Sequence, residues 1–302
     1  MKKQLFSAAI ILFIIINFSY AYNPEHLKIL LRKDISDAWD QWTKKNPRIK
    51  ANFSGAVIND VCFTGNFLSA NFRNAKISNS VLVNADFIHT DLSHSEIRKI
   101  NSFLIYPSNR DSFICKNSVF FKANILDSKF ISADFSGTNF NESVIQNTEF
   151  SSCSIKNSSF VKAKIIKLKL YSNYSNFVDF SNSEIITSTI VAIIPQVDKI
   201  HNIKFNHAKI HESTIAGWLY NASFTNADLT NSSFFYFKIP DGSILTNVNF
   251  TNTNLTNVNF QKTKFQNVIF KNADMTGAKL ERKWHSYVKK QGVRNFDKIQ
   301  WM

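Results

Sequence analysis

Large apolar residues recur at every fifth position along most of this chain. One series runs Phe120, Ile125, Phe130, Phe135, Phe140, Ile145, Phe150, Ile155, Phe160, Ile165 and Leu170 without a slip. An earlier series runs Phe67, Phe72, Ile77, Leu82, Phe87, Leu92 and Ile97. A later one runs Phe250, Leu255, Phe260, Phe265, Phe270, Met275 and Leu280. Two residues before each large side chain sits a small one, such as Ala123, Ala133, Ser143 or Ala163. The residue between is usually polar, as in Ala85-Asp86-Phe87 and Ala227-Asp228-Leu229.

A period of five excludes both regular elements as continuous structures. A helix advances about 100° per residue, so the apolar positions would spiral round every side and leave no stripe. A straight strand alternates faces, so successive large residues would point opposite ways. A short extended piece with one corner per repeat fits. The small and large residues, two apart, point inward together. The polar residue between them points out, and the remaining two make the corner. The chain then winds about an interior column, and each coil is stabilised by stacking on its neighbours. The predicted core includes Phe72, Phe87, Phe120, Phe130, Phe135, Phe140, Phe150, Phe160, Phe250, Phe260, Phe265 and Phe270.

The pattern resembles the pentapeptide-repeat family, whose unit is Ala-(Asp/Asn)-Leu-x-x or its Phe variant. The resemblance covers about Ala51 to Leu280. Trp39-Asp40-Gln41-Trp42 followed by Asn46-Pro47 is also similar to a lead-in of many members. The resemblance implies an all-β fold, a right-handed quadrilateral β-helix with four repeats per coil. Coils would rise about 4.8 Å each, giving a rod about 50 Å long.

That coil length places the interruptions. From Ile97 to Phe120 the chain is three residues too long, so the segment around Tyr106, Asn109 and Arg110 is expected to bulge as a candidate interaction loop. Between Leu170 and Phe180, and between Ile190 and Phe205, the phase is kept, which predicts degenerate coils. A residue is lost near Gly65 and another beside Trp218, and one is gained between Ile244 and Phe250. Loops on a rigid scaffold are where binding tends to sit.

The ends differ from the repeat. Asn23-Pro24-Glu25 reads as a helix start, and Leu27, Leu31, Ile35, Ala38 and Trp42 follow at helical spacing. This predicts a helical N-terminal cap over residues 22–50, ahead of the β-helix over 51–280. Residues 281–302 form a basic C-terminal cap or tail. Residues 1–21 have the layout of a signal peptide: Lys2 and Lys3, an apolar run from Leu5 to Phe18, then Ser19-Tyr20-Ala21. That run is about 14 residues, short of the ~17–25 a spanning helix needs, with a retained anchor as the alternative. The expected location is periplasmic or secreted, with no transmembrane domain in the mature chain.

Composition sharpens the picture in two places. The chain has 29 Phe but only 7 Gly and 5 Pro, so it turns often without glycine, which its abundant Asn and Ser, with Asp, can do. Its net charge of +14 favours acidic partners. Cys62, Cys115 and Cys153 fit no zinc or redox spacing.

No catalytic, metal-binding or cofactor-binding signature is found, and no cofactor is expected. His89 and His94 fall on different sides of a four-sided coil. Asp86, Asp134 and Asp274 occupy outward positions on a convex rod, without the cleft that paired acid–base chemistry needs. Lys162, Lys164, Lys167 and Lys169 form an outward basic band, which reads as a solvated face. The expected function is that of an exported, non-catalytic scaffold. Its partner would be a protein or an anionic envelope component, with nucleic acid disfavoured. Family members often pair end to end, which leaves a homodimer open. Some members resemble DNA and protect topoisomerases, but that needs a negative rod in the cytoplasm. A glycan-active β-helix enzyme is the remaining alternative.

Overall fold

The computed structural model describes residues 22–32, 38–102, 113–191 and 200–302. The proposed leader and the candidate loop residues Tyr106, Asn109 and Arg110 lie outside them.

The pentads wind into a four-sided parallel coil. One side is traced by bridges through Asn52, Asn71, Asp91, Val119, Asn139, Ser159, Asp179, Lys204, Ser223, Asn249 and Ile269, which makes eleven rungs. Five of the ten steps along this line are one twenty-residue coil, and on the next side Ile145 likewise pairs with Ile125 and Ile165. Inside, the large side chains form four columns. The first is a phenylalanine ladder: Phe120, Phe140, Phe160, Phe180, Phe205, Phe224, Phe250 and Phe270 stack with centroids 4.7–5.3 Å apart. The second is aliphatic, with Ile58, Ile77, Ile97, Ile125, Ile145, Ile165, Ile185 and Ile210 in register. The third and fourth mix Phe, Leu and Ile. All twelve phenylalanines expected in the core are buried. Each contributes roughly 1.5–3 kcal/mol by burial.

The sequence also explains the corners. The second residue after each large one has positive φ, as at Asn74, Asn79, Asn84, Asn157, Asn226 and Asn252. Asparagine is the non-glycine residue that tolerates this region best. Phe177 adopts it too, with φ 58°, and is 59% exposed, an outlier for so bulky a residue. Where Asp or Asn precedes the large residue, it often locks its own turn. Asp86, Asp134, Asp179 and Asp274 each accept a hydrogen bond at 2.8–3.0 Å from the backbone N–H two residues on. Asn139 and Asn249 do the same. This is why the repeat selects Asp or Asn there, and it commits the carboxylates to structure.

Both ends are covered. Helices α1 (Pro24–Leu30) and α2 (Ala38–Lys45) close the first coil. Trp39 stacks on Phe67 at 5.1 Å, and its indole N–H donates to the Asn66 carbonyl. The buried His26 ring packs against Trp39, Trp42 and Phe53. Its Nδ1 accepts from the Asn52 N–H at 3.0 Å, and Asn23 meets its Nε2. No charged group is among these contacts.

Burial holds the His26 imidazole below its ordinary value of 6.5. The unfolded cap therefore binds a proton at higher pH than the folded cap does. Stability rises with pH across the window between the two values, and the His26 contribution is complete above 6.5. As pH falls below that value, the protection of α1 amides, taken as observed exchange relative to the intrinsic rate at the same pH, is expected to fall. A His26→Asn variant should lose this pH dependence.

At the other end, a 3-10 turn (Arg282–Trp284) and helix α3 (His285–Lys289) cover the last coil, and Val288 is buried there. The Tyr287 hydroxyl and the Gln291 amide contact the backbone of Val268 and Phe270 at 2.8–2.9 Å, in place of a further rung.

Candidate functional site

Every departure from the five-residue step falls on one edge of the four-sided coil. Along the other three edges the large residues are always five apart. Between the third and fourth columns the steps are Phe63 to Phe67, Ser102 to Cys115, Ile190 to Ile200, Ile215 to Leu219 and Phe234 to Leu245. Two are one residue short and three are longer by a loop's length. A solenoid tolerates an insertion only where it does not break stacking above and below. Five on the same edge is a directional feature of the scaffold.

Register corrects three expectations. Ile97 pairs with Ile125, so that coil is eight residues longer than a regular one, not three. Ile185 pairs with Ile210, so the coil expected to be merely degenerate carries five extra residues. A whole added pentad is invisible to phase. Finally, Leu245 is the inward residue, and Ile244 faces outward.

The third correction exposes a loop that the period concealed. Ile239 and Ile244 continue the five-step series from Phe234, yet the chain leaves the coil after Phe234 and rejoins at Leu245. The signal was present in the small-residue rule. Two before Ile239 stands Phe237, which would put two large side chains into one repeat, whereas two before Leu245 stands the small Ser243; where a Phe does take the small position, at Phe113, the small Cys115 stands two residues on.

The loop is built on its own small core. Tyr236 and Ile239 pack on Val191 and Ala216, with Tyr171 against them. All three support residues lie on the same edge. Two tight turns close it: Ile239 N–H donates to Tyr236 O at 2.9 Å and Gly242 N–H to Ile239 O at 3.0 Å. The Ser243 hydroxyl donates to Phe234 O and accepts from Gly217 N–H, tying both loop ends to the coil. The Tyr171 and Tyr236 hydroxyls meet at 3.4 Å, and burial, with that contact, pushes the Tyr171 phenol up to about 12. Phe237 is held outward, 71% exposed, with the Lys238 ammonium 5.8 Å from its ring centre.

Gly242 seats the loop on the next rung. It has φ 77°, and a Cβ there would lie 2.0 Å from the Lys262 carbonyl oxygen. Gly242→Ala should destabilise the loop by more than the ~1 kcal/mol backbone penalty alone, because Lys262 backbone must shift. Limited proteolysis should then cut within Phe235–Ser243 while the rest of the coil stays resistant.

The remaining candidate groups do not converge. His89 and His94 sit at different corners, and His94 meets Phe121 edge-on. His211 Nε2 lies 3.0 Å from Asp228. Burial alone would raise that carboxyl, but hydrogen bonds from Thr230 and His211 outweigh it and hold its pKa below the ordinary value. Among the described residues no three His, Cys, Asp or Glu side chains are placed to hold a metal. The four lysines form no bare band. Lys162 and Lys164 lie on one face, Lys167 and Lys169 on the next, with Glu184 beside Lys164 and Glu149 stacked on Lys169. Lys122–Glu142 and Lys129–Glu149 repeat this pairing of opposite charges on successive rungs. No described helix is long and apolar enough to cross a membrane.

A family model for pentapeptide repeats matches residues 66–101, 123–160 and 243–282, in 8 copies. No curated protein matches the sequence. Among solved structures, the chain is similar to HetL, a pentapeptide repeat protein involved in heterocyst differentiation regulation from the cyanobacterium Nostoc. That likeness has 13% identity over 79% of this chain and 94% of the other, with a TM-score of 0.26. It is also similar to QnrB1, a plasmid-mediated fluoroquinolone resistance protein, at 13% identity over 78% and 97% of the two chains and a TM-score of 0.34. With its stacked pentads, its Asx-locked corners and the matched repeats, this chain belongs to the pentapeptide-repeat family.

Proposed function

We propose that the chain is an exported, non-catalytic scaffold that holds a binding edge toward an envelope partner. One observation carries the reading: all five breaks in the repeat lie on a single edge, and the described loop there presents an exposed aromatic on a packed base. Asp86, Asp134 and Asp274 each accept a backbone hydrogen bond that locks a turn, which supports a structural role for these carboxylates. The N-terminal leader pattern supports export, and the net charge of +14 favours an acidic partner over mimicry of DNA.

Fractionation with N-terminal sequencing tests the export half. The expected result is a chain beginning near Tyr22 outside the cytoplasm. Photo-crosslinking from position 237, with position 177 as control, tests the edge. Capture from 177 but not from 237, or an intact N-terminus in the cytosol, would refute the reading.

A further inference from the structure

We infer that the loop Phe235–Ser243 is an insertion tip for an anionic lipid surface, a step that deepens the envelope reading above by naming the partner. The loop is anchored from beneath, since Tyr236 and Ile239 are buried against Val191 and Ala216. That base leaves Phe237 facing outward, 71% exposed. Held this way, the ring is presented at no further cost in loop ordering.

Charge selects among the surfaces that could receive it. Lys238 lies over the Phe237 ring, Lys262 reaches the Pro240 carbonyl from the next rung, and Lys264 is stacked directly on Ile244. All three are exposed, and the loop itself holds one carboxylate, Asp241. An apolar tip ringed by lysines complements a bilayer interface, where the ring enters the acyl boundary and the ammonium groups meet phosphates. A bilayer also imposes no shape on the tip that meets it. A protein groove would have to match the loop's contour.

The test is flotation of the full chain with phosphatidylcholine vesicles, with and without phosphatidylglycerol. Binding is expected only when phosphatidylglycerol is present, and high salt should release it. Phe237→Ser should weaken it about tenfold, and Lys238→Gln about fivefold. Phe177→Ser, which removes an exposed ring from another corner, should leave it unchanged. Circular dichroism of each variant controls for folding. Equal binding to both vesicle types, or wild-type binding by both Phe237→Ser and Lys238→Gln, overturns the inference. Capture of an acidic envelope protein through position 237 without vesicle binding overturns it too, while sparing the scaffold reading. Conversely, vesicle binding by a chain that is retained in the cytosol sinks the export reading and leaves this one standing.

Discussion

Phe140→Ala is expected to lower stability by about 3–5 kcal/mol. The ring is fully buried and sandwiched in the first column, 4.9 Å from Phe120 and 4.7 Å from Phe160, nearly parallel to the latter. Its removal leaves a cavity that the rungs above and below cannot close, because their backbones are pinned to one another by parallel bridges. A double-mutant cycle with Phe160→Ala should show coupling of about 0.5–1.5 kcal/mol, the part owed to ring stacking. Denaturant unfolding measures both. Since contacts run only between neighbouring rungs, hydrogen exchange should rise most in the coils around residue 140 and least near the caps.

Removing the C-terminal cap should have the other large effect. Truncation after Leu280 would strip Trp284 from Phe265 and expose the end of all four columns. It would also free the Val268 and Phe270 backbone groups now met by Tyr287 and Gln291. The expected product multimerises end to end or precipitates, read by light scattering after gel filtration. An open last rung is an unpaired sheet edge with an apolar interior beneath it. The milder Gln291→Ala should cost about 1–3 kcal/mol and leave the chain monodisperse. A truncated chain that remains a soluble single species would show that the cap is dispensable.

The coil was legible in the sequence because one physical constraint repeats. A narrow interior admits a large side chain once per side and a small one two residues earlier. The Phe120 to Leu170 series shows this without interruption, and its members are buried in order. The αL corners were legible as well, since abundant asparagine with few glycines leaves few other ways to turn.

The edge was not legible, for a reason that the same constraint supplies. Phase arithmetic detects an insertion only by its remainder after division by five. Eight extra residues before Phe113 therefore read as three, and five extra before Ile200 read as none. At Phe234 the error was subtler. Ile239 occupies an in-phase position but packs on Val191 and Ala216 outside the coil, so hydrophobicity alone could not separate the two interiors. The size rule separates them when read over the pair, because Phe237 with Ile239 would place two large side chains in one repeat, whereas the buried Phe113 is followed by the small Cys115. That five breaks share one edge needs the fold, since it depends on which side of the coil each step occupies.

Cross-linking of cysteine pairs gives the most direct test that four pentads make one coil. With Cys62 replaced by Ser, cysteines at Gln146 and Ile166 should form a disulfide readily. These residues are register partners on adjacent rungs. Their Cα atoms would sit about 4.8 Å apart, within disulfide range. A pair at Gln146 and Val161 should stay reduced, being on different sides of the coil. Efficient bridging of the second pair and none of the first would contradict the account.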